Sequence, residues 1–284
     1  MAREEAGAAK GARNITFRVQ RFNPETDSRP YMAEYTVPYT EGMTVLDGLI
    51  YIKEKLDGTL AFRMSCRMGI CGSCGMLVNG FPHLACHTQV SELESDVLEV
   101  KPLPNYPVIR DLVPDLGPMF EKHREVKPYI IRADEEELEN RSGEFLQKPE
   151  ELEAYLQFAY CLKCGMCLAA CPTVATDRAF FGPQALAQAY RYSADSRDAG
   201  QAERLEVLNS PHGPWRCHLA GACSEACPKG VDPALAIQLL KRELTLGARR
   251  QEKQEAVLAG PPEGVSRRPN IPDPPARTVE PEQQ

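Results

Sequence analysis

The run Cys161-Leu-Lys-Cys164-Gly-Met-Cys167-Leu-Ala-Ala-Cys171-Pro172 limits what this chain can fold into more than any other stretch. Its spacing, C-x2-C-x2-C-x3-C-P, lets three thiolates wrap one iron–sulfur cluster, while the fourth, placed before proline, ligates a neighbouring one. The proline turns the chain there, because it lacks an N–H and restricts the residue before it. Such a run calls for a second, and Cys217-His-Leu-Ala-Gly-Ala-Cys223-Ser-Glu-Ala-Cys227-Pro228 supplies it. Overlaid on the first, Cys217 matches Cys161, Cys223 matches Cys167 and Cys227 matches Cys171, but Ala220 stands where Cys164 would be. By the exchange rule, Cys161, Cys164, Cys167 and Cys227 make a complete [4Fe–4S] site, and Cys171, Cys217 and Cys223 a three-thiolate site. A methyl group coordinates nothing. The second site therefore takes a [3Fe–4S] cluster or a [4Fe–4S] cluster with a water-bound iron, the first being preferred. Structural zinc, which closes one tetrahedron with two distant cysteine pairs, fits this crowding poorly.

A second constellation precedes these runs. Cys66-Arg-Met-Gly-Ile-Cys71-Gly-Ser-Cys74, followed by Cys86, has the C-x4-C-x2-C plus distant cysteine of a plant-type [2Fe–2S] site. Gly69, Gly72 and Gly75 interleave the ligands, so the backbone can curl and aim N–H groups at sulfur. Only eleven residues separate Cys74 from Cys86, a shorter return than plant ferredoxins use. The three glycines are no nucleotide fingerprint, since cysteines fill them and no amphipathic helix follows.

The length of 284 residues suggests two domains. A net charge of −7 argues against nucleic acid as a partner. Eleven cysteines at metal-ligand spacings point to reduced thiolates in the cytosol rather than secreted disulfides. No apolar stretch reaches the ~18 residues of a spanning helix, so no direct membrane span is expected. The acidic N-terminus reads as neither signal nor transit peptide.

The expected fold class is α+β, with four segments. Residues 1–13 form a flexible N-terminal arm. Residues 14–115 form a plant-type [2Fe–2S] ferredoxin, or β-grasp, domain. Here Ile15, Phe17 and Val19 alternate on one strand and Tyr31–Val37 on its hairpin partner. A capping box at Thr44 and Asp47 opens a helix carrying Leu46, Leu49, Ile50 and Leu56, ended by Gly58. Asn79-Gly80 turns a hairpin that returns Cys86, and residues 97–100 close the sheet. Four prolines in 101–115 mark the boundary. Residues 116–250 form an all-α dicluster ferredoxin domain. An acidic run at 133–139 reads as a solvated face. One helix runs from Pro149 towards Tyr160, others over 185–192 and 202–208, and a last one opens at Asp232-Pro233 with Leu235, Ile237, Leu239 and Leu240 as its apolar positions. Residues 251–284 form a Pro-rich tail.

With both constellations in place, residues 14–248 resemble the iron–sulfur subunit of succinate dehydrogenase and fumarate reductase. Ser65–Cys74, Val108-Ile-Arg-Asp-Leu112, Cys161–Pro172, Ser196-Arg-Asp198 and Cys227–Pro233 carry the resemblance. It implies a relay from a FAD-bearing flavoprotein subunit through [2Fe–2S], [4Fe–4S] and [3Fe–4S] clusters to quinone. It also implies a membrane anchor subunit holding the quinone site and haem b, and a peripheral place on the cytoplasmic side of a bacterial inner membrane. The dicarboxylate site would lie on another subunit. Carried over residue by residue, Pro172, Trp215, His218 and Lys241 fall near the quinone. Three of them have an ordinary alternative: Pro172 as a helix stop, Trp215 as core filling, Lys241 as a solvated residue. Ubiquinone-type members carry two tryptophans shortly after the Cys171-Pro172 pair. Ala175 and Thr176 stand there instead, which favours menaquinone, with the Thr176 hydroxyl as a hydrogen-bond donor. Succinate oxidation and fumarate reduction share every residue named. A free-standing three-cluster carrier, or another reductase or sensor built from the same modules, is the competing class. The chain is long for a carrier.

Overall fold

The computed structural model describes residues 13–133 and 144–247. Residues 1–12 of the expected arm, all but the first residue of the acidic run, and the tail at 251–284 lie outside the described residues. Contacts gather the chain into two units, residues 1–133 with 147–252 and residues 134–146 with 253–284. Every element below belongs to the first unit.

Strand β1 (Asn14–Arg21) buries Ile15, Phe17 and Val19 completely, as its alternation predicts. Each such side chain contributes roughly 1.5–3 kcal/mol of burial. Strand β2 (Tyr31–Pro38) pairs with it antiparallel. Helix α1 (Val45–Tyr51) opens with the full capping box, the Thr44 hydroxyl accepting from the Asp47 N–H and the Asp47 carboxylate accepting from the Thr44 N–H. Its exit departs from expectation. Residues Ile52–Leu56 form a π-helical turn closed by Asp57 N–H donating to Ile52 O at 2.7 Å. The extra residue in that ring rotates Leu56 off the core face to 47% exposure, and Asp57, not Gly58, is the terminating residue.

Strands β3 (Gly75–Val78) and β4 (Phe81–Leu84) form a hairpin across Asn79-Gly80, both at positive φ as a type I′ turn requires. Strand β5 (Val97–Lys101) does more than close the sheet. It inserts parallel to β1 and antiparallel to β3, giving the order β2-β1-β5-β3-β4. A separate ribbon, β6 (Val108–Arg110) with β7 (Val113–Pro114), follows within the Pro-rich segment.

The second half is helical, with α2 (Gly117–Glu125) first. The single helix expected from Pro149 to Tyr160 is two short ones, α3 (Pro149–Glu153) and α4 (Leu156–Ala159), broken where buried Tyr155 leaves the helical region at φ −131°. Short helices α5 (Met166–Ala169) and α6 (Pro172–Thr176) follow. Helix α7 (Pro183–Ser193) is buried along nearly its whole length, and α8 (Gln201–Leu208) comes next. Helix α9 (Ala222–Glu225) precedes α10 (Pro233–Leu246), which Asp232 caps by accepting from Leu235 N–H at 2.9 Å. Leu235 itself is exposed; Ala236, Ile237 and Leu240 face the core. Among the described residues no helix is long and apolar enough to cross a membrane.

The Pro-rich segment at 101–115 staples this half in place. The Asn105 carboxamide donates to the carbonyls of Leu168 (2.8 Å), Ala169 (3.0 Å) and Cys171 (3.3 Å), closing the end of α5. The Tyr106 hydroxyl donates to Gly165 O at 2.9 Å. Nothing in periodicity reveals either contact, because the segment carrying them is irregular.

Candidate metal centres

The loop from Cys66 to Cys74 is held from behind. Arg21, at the end of β1 and nearly buried, donates to Asp111 (3.0 Å), Tyr35 (2.7 Å) and Thr59 (2.8 Å), and pairs with Asp57. Asp111 also accepts from Phe22 N–H and Ala61 N–H, both at 2.8 Å. The end of β1, the chain five residues before Cys66 and the β6–β7 turn are thus tied to the one carboxylate of Asp111.

Within the loop, backbone N–H groups converge on sulfur. Met68, Ile70 and Cys71 donate to Cys66 Sγ at 3.4, 3.4 and 3.3 Å. Gly69 N–H donates to Cys86 Sγ at 3.3 Å and Cys86 N–H to Cys74 Sγ at 3.5 Å, so the hairpin does return Cys86 to the loop. The three N–H groups lower the Cys66 thiol to about 6, whereas burial pushes Cys74 up to about 12. Met68 and Ile70, between the first two cysteines, are 68% and 54% exposed and crown the loop with apolar surface.

The other seven cysteines divide between two cavities. Cys161, Cys164, Cys167 and Cys227 line one, together with Gln184 and Ala187 of α7. Cys171, Cys217 and Cys223 line the other, with Ala220, Pro172 and Ile237. The exchange of Cys171 and Cys227 between runs is therefore present in the geometry. So is the match between the runs. Lys163 and Gly165 have φ of 56° and 83°, and Leu219 and Gly221 have 60° and 76°. Each left-handed pair leads into a four-residue helix and then a Cys-Pro step. Ala220 accordingly occupies the backbone position of Cys164.

The donor sets fit iron–sulfur clusters. Among the described residues no three or more His, Cys, Asp or Glu side chains are gathered to hold a single metal ion. Ligands of one zinc would bring sulfurs within about 3.8 Å of each other, given Zn–S bonds of ~2.3 Å. These thiols instead surround cavities. Burial raises Cys161 and Cys167, and pushes Cys164 and Cys223 each up to about 11. Such thiolates need a cationic core to offset their desolvation, and iron supplies it.

One of the five candidate quinone residues lines the second cavity, and the others join its lining through sequence neighbours or hydrogen bonds. Pro172 lines it. His218 and Trp215 are exposed, next to and two residues before cavity-lining Cys217, and the Trp215 indole donates to Asn209 Oδ1 at 3.2 Å. Lys241 of α10 donates to Cys217 O at 3.2 Å, anchoring the second run. The Thr176 hydroxyl bonds back to Pro172 O and Thr173 O, both at 3.2 Å, so its proton is engaged inside α6. Leu219, next to His218, is an exposed apolar residue as well.

The two loops approach at one point. A Cβ added at Gly72, which has φ +75°, would stand 2.7 Å from Cys164 Cβ. The first constellation and the four-cysteine site are thus in van der Waals contact through a residue without a side chain.

Comparison with known proteins agrees with this arrangement. The 2Fe-2S iron-sulfur cluster binding domain family matches residues 16–121, and the 4Fe-4S dicluster domain family matches residues 157–231. The fumarate reductase iron-sulfur subunit of Mycobacterium tuberculosis is 51% identical over 227 residues, covering 80% of this chain and 91% of that protein. The succinate dehydrogenase iron-sulfur subunit of Paracoccus denitrificans is 42% identical over 236 residues, covering 82% and 89%. Among solved structures, a chain of the Mycobacterium smegmatis Sdh1 complex in the apo form superposes with a TM-score of 0.75 at 27% identity, covering 83% of this chain and 97% of that one.

Proposed function

Since the chain belongs to the iron–sulfur subunits of succinate dehydrogenase and fumarate reductase, we propose that it links a FAD-bearing flavoprotein subunit to a quinone-binding membrane anchor. Cys66, Cys71, Cys74 and Cys86 hold the [2Fe–2S] cluster. Cys161, Cys164, Cys167 and Cys227 hold the [4Fe–4S] cluster, and Cys171, Cys217 and Cys223 the [3Fe–4S] cluster. When bound, the clusters take up and pass on single electrons between flavin and quinone. The observation that carries this reading is the division of seven cysteines between two cavities, four to one and three plus Ala220 to the other.

The residues of this chain do the rest. N–H groups around Cys66 and Cys86 stabilise negative charge on their sulfurs. Exposed Met68 and Ile70 form the face for the flavoprotein subunit. Trp215, His218 and Leu219 form the face for the anchor, with His218 placed to give a proton to reduced quinone. Ala175 and Thr176 in place of tryptophans support menaquinone. The chain then sits peripherally on the cytoplasmic face of a bacterial inner membrane, its two domains dividing near residue 115.

The primary direction proposed is succinate oxidation. A second reading, fumarate reduction, draws on the higher identity to a fumarate reductase subunit, 51% against 42% for a succinate dehydrogenase subunit. EPR of the air-oxidised complex tests the ligand assignment. A sharp signal from an oxidised [3Fe–4S] cluster, lost on adding succinate, is expected. A silent oxidised sample with full iron content sinks it, because the Ala220 corner then keeps its iron. Comparing succinate-driven quinone reduction with quinol-driven fumarate reduction in the same membranes decides the direction.

A further inference from the structure

Gln184 is the second residue of α7 and only 1% exposed, and it lines the four-cysteine cavity. Its Nε2 lies 3.1 Å from Nδ1 of His123, a nearly buried residue of α2. Its Oε1 has no hydrogen-bond partner. A buried amide left half satisfied is costly, so the position calls for another explanation than packing.

The amide has two possible settings. As placed, one N–H goes to His123 Nδ1, and the other remains. With the amide turned over, Oε1 accepts from a protonated Nδ1 and both N–H groups remain. Either setting leaves at least one N–H of this cavity-lining amide free of His123. Burial holds His123 down at about 4, which favours the neutral ring and the first setting.

We propose that Gln184, aimed by His123, donates a hydrogen bond to the thiolates of the four-cysteine site and raises the reduction potential of the cluster they hold. This rests on the ligand assignment above. Adding an electron increases the negative charge spread over the sulfurs, and an N–H dipole pointed at them stabilises the reduced form more than the oxidised one. Gln184 is thus a positioning and tuning residue. It lines the cavity with the four cysteines and never accepts the electron itself.

The experiment is an EPR-monitored redox titration of the complex containing the full chain, with and without Gln184→Leu, which removes the donor at similar volume. The [4Fe–4S] midpoint is expected to fall while the other two midpoints stay in place. His123→Phe is expected to lower the same midpoint by a smaller amount. An unmoved midpoint, or an equal shift of all three, overturns the proposal. If Gln184→Leu fails to assemble, the unsubstituted complex decides. With 15N placed only on glutamine side-chain amides, the reduced cluster must show a 15N coupling in pulsed EPR, and its absence overturns the proposal. A normal [4Fe–4S] signal with no shift and no coupling refutes Gln184 alone. Absence of that signal from the unsubstituted complex refutes the ligand assignment, and this proposal with it.

Discussion

Ala220 lines the second helical cavity where the first has Cys164. Its backbone follows that of Cys164 through the same pair of left-handed residues, so a thiol introduced there would point where the Cys164 thiol points. Ala220→Cys is expected to complete a four-thiolate set and abolish the oxidised-state EPR signal, with iron per chain rising by one. Persistence of the signal would show that the two runs do not hold sulfur alike. This position was legible without coordinates, because spacing alone aligns the runs. Gln184 was not. A glutamine early in a helix looks like any surface residue until folding buries it against cysteines 20 residues earlier and a histidine 61 residues earlier.

Elements explain how the cysteines reach their places. The capping box and the Asn79-Gly80 turn follow from local chemistry and appear in the structure as sequence predicts. The π-turn after α1 and the break at Tyr155 do not, because both answer to packing rather than propensity. The contact between loops also belongs to this scale. Gly72→Ala forces a Cβ against Cys164 and a side chain into a left-handed conformation, and is expected to cost about 1–3 kcal/mol. Iron and sulfide content should fall with Tm. Gly80→Ala, at a turn with nothing within 4 Å of the added carbon, should lower Tm less and leave cluster content intact. The Asp57 carboxylate ties α1's exit to β1. The Thr59 hydroxyl, then Tyr35 and Arg21, hold it well below the usual carboxylate range. A carboxylate depressed in the fold stabilises fully above its unfolded value near pH 4, and that contribution disappears as pH falls further. Asp57→Asn is therefore expected to lower Tm at pH 7 and to narrow its gap to the unsubstituted protein below about pH 4, checked by Tm against pH.

At the scale of the molecule, buried polar tethers join what the cysteine runs leave separate. Arg204 and Asp198 are both fully buried and doubly hydrogen-bonded, at 2.6 and 2.9 Å. Arg204 also donates to Lys127 O and Tyr129 O, and Asp198 accepts from Ile131 N–H. Together they pin the strand of chain after α2 to α8. Arg204→Met leaves Asp198 buried and unpaired and is expected to cost about 3–5 kcal/mol, whereas adding Asp198→Leu should return part of that loss. Equal Tm for the single and double variants would contradict this account. The sequence by itself determined the α+β class and several strand and helix starts, and it grouped the cysteines as four, four and three, with Ala220 at the odd position. Those features depend on covalent spacing and on residues within a few positions of each other, where coordination number, capping and turn chemistry leave few choices. Only the tertiary structure decided that Gly72 meets Cys164, that Asn105 closes the end of α5 while Tyr106 holds its N-cap Gly165, and that Gln184 lines the four-cysteine cavity. Each is a contact across tens of residues, set by how the sheet and helices pack, and packing leaves no period or spacing for a sequence to display.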